Sequence, residues 1–379
     1  MGKLVRNLVI IGSTGSVGTQ TLDVVRAFPD DFKVVALVAG SNFELFEQQI
    51  IEFKPEWIHS NCTKEQKLKL NSHGCFEKSI EEIVALQSVD VIVTATSGDI
   101  ALLPTLIAID NKKNIALANK ESIVIAGKEL VSRAKENNVD IFPLDSEPNA
   151  IWQCLKGEQK AINKLIITAS GGALRDFPLE SLPAVTPSQA LNHPTWKMGD
   201  KITVDSATLM NKAFEVIEAH YLFDIPWEDI EVVLHPESLV HSMVEFIDGS
   251  IKAEISKPDM RMPIQYSLLY PFRKFNSEIS RVDLIDVGKL SFEKLDLNRY
   301  PCFVLGIEYG KRGDTWPAVL SGADQMAVEL FLSGKIKYTE IDTVIKNATK
   351  RHVSVPSPNV HQALEAANWA KKQVEDLVK

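Results

Sequence analysis

Short unbroken apolar runs alternate with helically periodic stretches over the first 145 residues. NLVIIG (7–12), KVVALVAG (33–40), VDVIVTA (89–95), NIALA (114–118) and VDIFPLD (139–145) predict strands. Runs of Val and Ile without polar alternation belong to strands covered on both faces, as in a parallel sheet flanked by helices. Stretches 19–28, 44–53, 79–86, 99–111 and 121–137 supply those helices. The pattern predicts the α/β class, with an N-terminal Rossmann-like parallel sheet domain over 1–144.

The rhythm then changes. KLIITAS (164–170), IEVVLHP (230–236), SMVEFIDG (242–249) and SIKAEIS (250–256) predict strands, the last two joined at Asp248-Gly249, a hairpin signal. A helix is predicted from about Asp205 to Phe223, and an α+β domain over 145–277. Residues 278–300 form a polar connector, and 301–379 carry a helical pattern that predicts a small helical C-terminal domain.

Composition narrows the class. Hydrophobic residues at 45% and charged residues at 24% exclude a disordered or fibrous chain. Lys and Arg number 41 against 50 Asp and Glu, a net charge of −9, which disfavours duplex nucleic acid as a partner. No apolar run approaches the roughly 20 residues a membrane span needs. MGKLVRNLVI shows no signal-peptide pattern, so a cytoplasmic protein is expected. Cys62, Cys75, Cys154 and Cys302 form no CxxC pair and are expected as reduced thiols.

Three groups of residues carry chemistry. First, NLVIIG leads into Gly12-Ser13-Thr14-Gly15-Ser16-Val17-Gly18 and then a helix. Glycines there let backbone N–H groups and the positive helix end meet a pyrophosphate. The second strand ends Ala39-Gly40-Ser41-Asn42, without the carboxylate that usually holds an NAD ribose, which favours NADP.

Second, Asp145 and Glu147 stand two apart at a strand end, with Pro148 in the first helical turn. Two converging carboxylates suit Mg²⁺ or Mn²⁺. The same residues also fit helix capping. In DSATLMNKAFEVIEAHYLF, Met210, Ala213, Phe214, Ile217 and Tyr221 form an apolar stripe, while Thr208, Asn211, Lys212 and Glu215 form a polar one. That polar stripe is either a solvated face or a cleft wall whose Glu215 completes a metal site.

Third, Ser170-Gly171-Gly172 follows a strand and could cradle an anion. Residues 171–199 are rich in Pro and Gly, lack a clear period and end in Asn192-His193-Pro194-Thr195-Trp196-Lys197-Met198-Gly199. Such a segment is either a lid or an ordered surface loop with a buried Trp. His235 and His241 receive no role.

GSTGSVGTQTLDVV, ANKES (118–122), PLDSEPNAIWQ, TASGGALRDFP, HPTWKMGDKITVDSATLMNKAFEVIEAH and KPDMRMPIQYSLLYP together resemble the 1-deoxy-D-xylulose 5-phosphate reductoisomerase family. The resemblance runs from about residue 7 to the C-terminus. It implies an NADPH-dependent oxidoreductase that isomerises and reduces 1-deoxy-D-xylulose 5-phosphate to 2-C-methyl-D-erythritol 4-phosphate, on the non-mevalonate route to isoprenoid precursors. A divalent metal (Mn²⁺, Mg²⁺ or Co²⁺) on Asp145, Glu147 and Glu215 would chelate the sugar oxygens. Lys120 and Ser146 would hold substrate hydroxyls. Ser170, Ser206, Asn211 and Lys212 would bind the phosphate, with His193 touching it from the lid. Trp196 would close over the substrate and, with Lys120, Glu147 and Glu215, make up the catalytic group. Thr14, Gly15, Ser16, Val17, Gly40, Ser41, Asn42, Asn119, Glu121, Met198 and Gly199 would line the NADPH site. A homodimer is implied, and no nucleic acid or membrane partner.

Two departures stand out. Many members carry Lys or Arg where this chain has Ser41, and Ser-Gly-Ala-Asp-Gln (321–325) replaces the usual Asn-Ala-Ala-Asn-Glu. One competing reading, a semialdehyde- or homoserine-type NADP dehydrogenase, shares only the nucleotide domain and leaves the DSE and 193–220 blocks unexplained. Another is a catalytically silent dinucleotide-binding sensor.

Overall fold

The computed structural model describes residues 5–158 and 161–379. Residues 1–4, on which the N-terminal leader reading partly rests, lie outside them. The chain divides into two compact units: 1–119 with 130–149 and 259–280, and 120–129 with 150–258 and 281–379.

The first unit is built on seven strands: β1 Arg6–Ile11, β2 Phe32–Ala39, β3 Trp57–Ser60, β4 Phe76–Glu77, β5 Val91–Thr94, β6 Asn114–Leu117 and β7 Ile141–Pro143. Their order is β4-β3-β2-β1-β5-β6-β7, and every pairing is parallel. The five predicted strands of this region are present. β3, β4 and the helix Lys64–Asn71 between them are additions. WIHS and FE are too short to show a period, and KEQKLKLN buries only Leu70, so no apolar stripe announced it.

Burial follows the Val/Ile rule. Leu8, Ile10, Leu37, Ile92 and Val93 are fully enclosed. The order reverses at β1, with β2 on one side and β5 on the other. This is the switch point outside whose carboxyl strand ends such sheets bind ligands. The helix Arg261–Leu269, unpredicted within KPDMRMPIQYSLLYP, belongs to this unit. Its Ile264 and Leu268 enter the sheet's core, and Arg6 donates from Nη2 to the Tyr270 carbonyl at 2.6 Å.

The second unit holds β8 Ile162–Ala169, β9 Ile230–Leu234, β10 Val240–Phe246, β11 Ile251–Ile255 and β12 Glu293–Lys294, ordered β11-β10-β8-β9-β12. Only β8 and β9 run parallel. The β10–β11 hairpin forms where Asp248-Gly249 predicted it, with Gly249 at φ +83°. The connector is not wholly irregular, since it supplies β12 and the short helix Leu284–Val287. Helices Pro301–Arg312, Trp316–Leu332, Ile341–Thr349 and Val360–Leu377 bear out the helical C-terminal pattern.

The helix predicted from Asp205 to Phe223 is corrected. It is two helices, Asp200–Thr208 and Met210–Phe223, divided at Leu209, whose φ of 57° lies in the left-handed region. Thr208 Oγ1 accepts the Met210 N–H at 3.3 Å, satisfying a donor that the break would orphan. Leu209 itself is buried, so tertiary packing compensates a conformation that a leucine does not favour.

Among the described residues no helix is long and apolar enough to cross a membrane. The four cysteines are free and buried.

Candidate active site

In the first unit, β1 runs into the glycine turn. Gly12 sits at φ +89°, and a Cβ there would lie 2.6 Å from the Ala95 carbonyl oxygen. A Cβ on Gly18 would collide with the Gly12 carbonyl and the Ser13 backbone. Both positions therefore require glycine for close backbone approach. The helix Ser16–Ala27 begins after Gly15 without any side-chain cap, which leaves its first N–H groups to an incoming anion. Thr14 is half-buried, while Gly15, Ser16, Gly40, Ser41 and Asn42 are exposed around this turn and the end of β2. Asn42 also caps the next helix, accepting the Leu45 N–H at 3.4 Å.

Asn119 is 1% exposed and donates from Nδ2 to the carbonyls of Thr96 and Gly98, both at 2.8 Å. It fixes the loop after β5, which lies against Gly12. That loop, residues 95–98, escaped the sequence reading, although its ATSG composition after a strand is the signal that could have found it.

At the end of β7, Asp145 is buried and Ser146 Oγ donates to Glu147 Oε2 at 2.5 Å. Asn149 holds this strand end in place. Its Nδ2 donates to the Pro143 carbonyl at 2.8 Å and to Ser267 Oγ at 2.9 Å.

In the second unit, the polar stripe of Met210–Phe223 is enclosed rather than solvated. Lys120, Lys212 and Glu215 are 5%, 4% and 1% exposed. Lys120 Nζ donates to Asn211 Oδ1 at 2.6 Å and to Glu215 Oε1 at 3.3 Å. Asn211 Nδ2 donates to the same Glu215 oxygen, and Lys212 Nζ to the other. Two ammonium groups and an amide around one carboxylate form an environment that accepts further negative charge. Asp145 and Glu147 in the first unit and Glu215 in the second each offer a carboxylate oxygen as a possible ligand atom. Hard cations bind through such oxygen sets.

The Ser170-Gly171-Gly172 loop leaves β8 with both glycines in the left-handed region, at φ +85° and +71°. A Cβ on Gly172 would lie 2.6 Å from Ala207 Cα, so the loop passes directly against the end of the helix that carries Ser206. Ser170 Oγ lies 3.1 Å from His193 Nε2. His193 Nδ1 accepts backbone N–H groups from Thr195 at 3.2 Å and Trp196 at 3.0 Å. Backbone amides only donate, so Nδ1 carries no proton and Nε2 is the N–H that donates to Ser170. Burial, helped by Arg175, lowers the His193 pKa to about 4 and keeps the ring neutral.

Trp196 is half-buried with its ring edge-on to His241, centroids 6.0 Å apart. Met198 is half-buried, and Gly199 opens the helix Asp200–Thr208. Residues 171–199 are less irregular than expected: they hold a 3-10 turn at Leu179–Ala184 and a short helix at Pro187–Ala190. His235 is structural, its Nε2 accepting the Leu239 and Val240 N–H groups. The unusual Asp324 has a partner: Lys201 Nζ donates to it at 2.6 Å and also reaches Asp205.

Family models described as 1-deoxy-D-xylulose 5-phosphate reductoisomerase match residues 8–127, with its C-terminal domain models at 141–223 and 255–373. The 1-deoxy-D-xylulose 5-phosphate reductoisomerase of Bacillus subtilis is 47% identical over 381 residues, covering 98% of this chain and 100% of the relative. That of Shouchella clausii is 45% identical over 377 residues, with 98% and 100% covered. A crystal structure of DOX-P reductoisomerase in complex with NADPH, fosmidomycin and magnesium superposes with a TM-score of 0.91 at 33% identity, covering 99% of this chain and 98% of the other. The Zymomonas mobilis reductoisomerase in complex with NADPH gives 0.91 at 34% identity, with 99% and 100% covered. With identity of this level along nearly the whole length, the chain belongs to the 1-deoxy-D-xylulose 5-phosphate reductoisomerase family.

Proposed function

We propose that this protein converts 1-deoxy-D-xylulose 5-phosphate to 2-C-methyl-D-erythritol 4-phosphate, isomerising the carbon skeleton with the aid of a divalent metal and reducing the product with NADPH. The observation that carries the reading is the identity of 45% and 47% to reductoisomerases over nearly the whole length, in a chain that also has the carboxylates Asp145, Glu147 and Glu215 and the uncapped glycine turn of a dinucleotide site.

Both implied groups fit the residues present. Three carboxylates suit Mn²⁺, Mg²⁺ or Co²⁺. Gly12 and Gly18, where a Cβ would collide with neighbouring backbone, let strand, turn and helix close up, and the uncapped start of Ser16–Ala27 offers its N–H groups to a pyrophosphate. Bound at the carboxylates, a divalent ion supplies Lewis-acid polarisation of neighbouring substrate oxygens and orients them.

The chain's own residues do the rest. Lys120 and Ser146 hold substrate hydroxyls, and Lys120 acts with Glu147, Glu215 and Trp196 as the catalytic group. Ser170, Ser206, Asn211 and Lys212 take the phosphate, and the neutral His193 approaches it from the lid with its N–H held on Ser170 Oγ. Binding energy from that remote anion can be used to order residues 171–199. Trp196 then excludes water from a reactive fragment, with Met198 beside the nicotinamide. Thr14, Gly15, Ser16, Val17, Gly40, Ser41, Asn42, Asn119, Glu121 and Gly199 line the cofactor. In this division of labour 1–144 binds NADPH, 145–277 carries metal and substrate, and 278–300 links them to the helices of 301–379. A cytoplasmic homodimer is the form in which we expect the enzyme to work.

The deciding experiment is NADPH oxidation followed with purified protein. The reading requires turnover that needs both 1-deoxy-D-xylulose 5-phosphate and a divalent metal. Oxidation without the sugar phosphate, or unaffected by a chelator, overturns it.

A further inference from the structure

A buried tyrosine far along the chain sits at the start of a hydrogen-bond chain that ends on Ser170. Tyr300, 1% exposed, donates its hydroxyl to the Gly171 carbonyl at 3.1 Å. That carbonyl belongs to the same planar trans peptide as the Gly172 N–H, so the two groups point to opposite sides. With the carbonyl held on Tyr300, the Gly172 N–H faces Ser170 Oγ and donates to it at 3.2 Å. The second acceptor position of Ser170 Oγ is taken by the His193 Nε2–H at 3.1 Å. A serine hydroxyl accepts two hydrogen bonds and donates one. With both acceptor positions filled, the Ser170 O–H is left as a donor.

Both glycines lie at positive φ, where the peptide between them turns more easily than it would between ordinary residues. An external restraint on its plane therefore matters. The neighbouring Arg299 holds the segment that follows, donating to the Leu174 carbonyl at 3.1 Å and the Phe177 carbonyl at 2.8 Å.

We propose that Tyr300 is a positioning residue for the sugar-phosphate anion: through the Gly171–Gly172 peptide it commits the Ser170 hydroxyl to act as a donor towards that anion. The proposal rests on the assignment of Ser170 to the phosphate. Burial pushes the Tyr300 phenol up to about 12, so it keeps its proton and its donor role through neutral and moderately alkaline pH.

The test is a double-mutant cycle with Tyr300→Phe and Ser170→Ala in the full chain, read by steady-state kinetics and by inorganic phosphate as a competing anion. Tyr300→Phe removes one oxygen and leaves the ring, so the core is retained. Its expected effect is about a tenfold rise in KM for the sugar phosphate and in Ki for phosphate, with kcat and KM for NADPH within twofold. Ser170→Ala is expected to do the same or more. In the Ser170→Ala background Tyr300→Phe should add no further change. A purely structural tyrosine would instead lower the melting temperature and leave KM of the folded enzyme alone. An additive effect, or unchanged KM and Ki in Tyr300→Phe while Ser170→Ala raises them, overturns the role of Tyr300. Unchanged values in Ser170→Ala overturn the phosphate assignment and the proposal with it. If Tyr300→Phe is too unstable for kinetics, phosphate-induced protection against thermal unfolding gives the same comparison, and protection equal to that of the parent overturns the proposal.

Discussion

His193 Nδ1 accepts the backbone N–H of Trp196 at 3.0 Å, so the histidine beside Ser170 also shapes the turn that presents the tryptophan. One ring thus has its tautomer set by the loop and its other nitrogen aimed at the candidate anion subsite.

That geometry predicts a pH dependence. The folded-state pKa of His193 is depressed to about 4, below the ordinary value of 6.5. A depressed base binds fewer protons folded than unfolded, so its contribution is complete above pH 6.5 and is lost as pH falls towards 4. His193→Gln should flatten the fall in melting temperature across that window. The parent's pH–rate profile should show no ionisation of this group near 6.5. A profile whose step near 6.5 disappears in His193→Gln would refute it.

Glu215 receives hydrogen bonds from Lys120, Asn211 and Lys212, and Glu215→Gln removes the charge while keeping the shape. Turnover should fall by about a thousandfold, roughly 4 kcal/mol of transition-state stabilisation. NADPH binding should survive, because the glycine turn is untouched. Metal titration of the variant should show weakened affinity, and an unaltered isotherm would remove Glu215 from the ligand set.

Ser41 is exposed after β2, with no carboxylate beside it in sequence. Ser41→Arg should sharpen the preference for NADPH over NADH by about tenfold, roughly 1.4 kcal/mol, by pairing with a 2′-phosphate. Ser41→Asp should abolish or reverse it. Ratios of kcat/KM for the two cofactors decide the matter, and identical ratios in both variants would place position 41 away from the 2′ group.

Trp196 is half-buried, with its ring steeply inclined to that of His241 at 6.0 Å between centroids. Trp196→Ala should keep a near-parent melting temperature and lose about two orders of magnitude in kcat/KM, roughly 2.7 kcal/mol. A large thermal loss with intact catalysis would make it a structural residue instead.

The sequence alone determined those parts whose causes are local. NLVIIG is apolar on both faces and runs into glycines, so a buried strand and a tight strand–helix turn follow from the residues themselves. Asp248-Gly249 likewise carries its own hairpin. The resemblance to a family, carried by long blocks such as 193–220, added the candidate roles.

Tertiary structure decided the rest. β3 forms because Ala36 to Ala39 offer a partner edge to four residues that show no period of their own. The left-handed Leu209 is unreadable in DSATLMNK, since it carries no Gly or Pro to mark a break, and the burial of Leu209 and the Thr208 hydroxyl that accepts the Met210 N–H compensate it. Whether the stripe of Asn211, Lys212 and Glu215 met water or a cleft depended on what covers it, and Lys120, ninety-one residues before Asn211, proved to be part of the answer. Distance in sequence hides such pairs: Tyr300 with Gly171, Lys201 with Asp324. Periodicity reports which side of an element is buried, and only the folded chain reports against what.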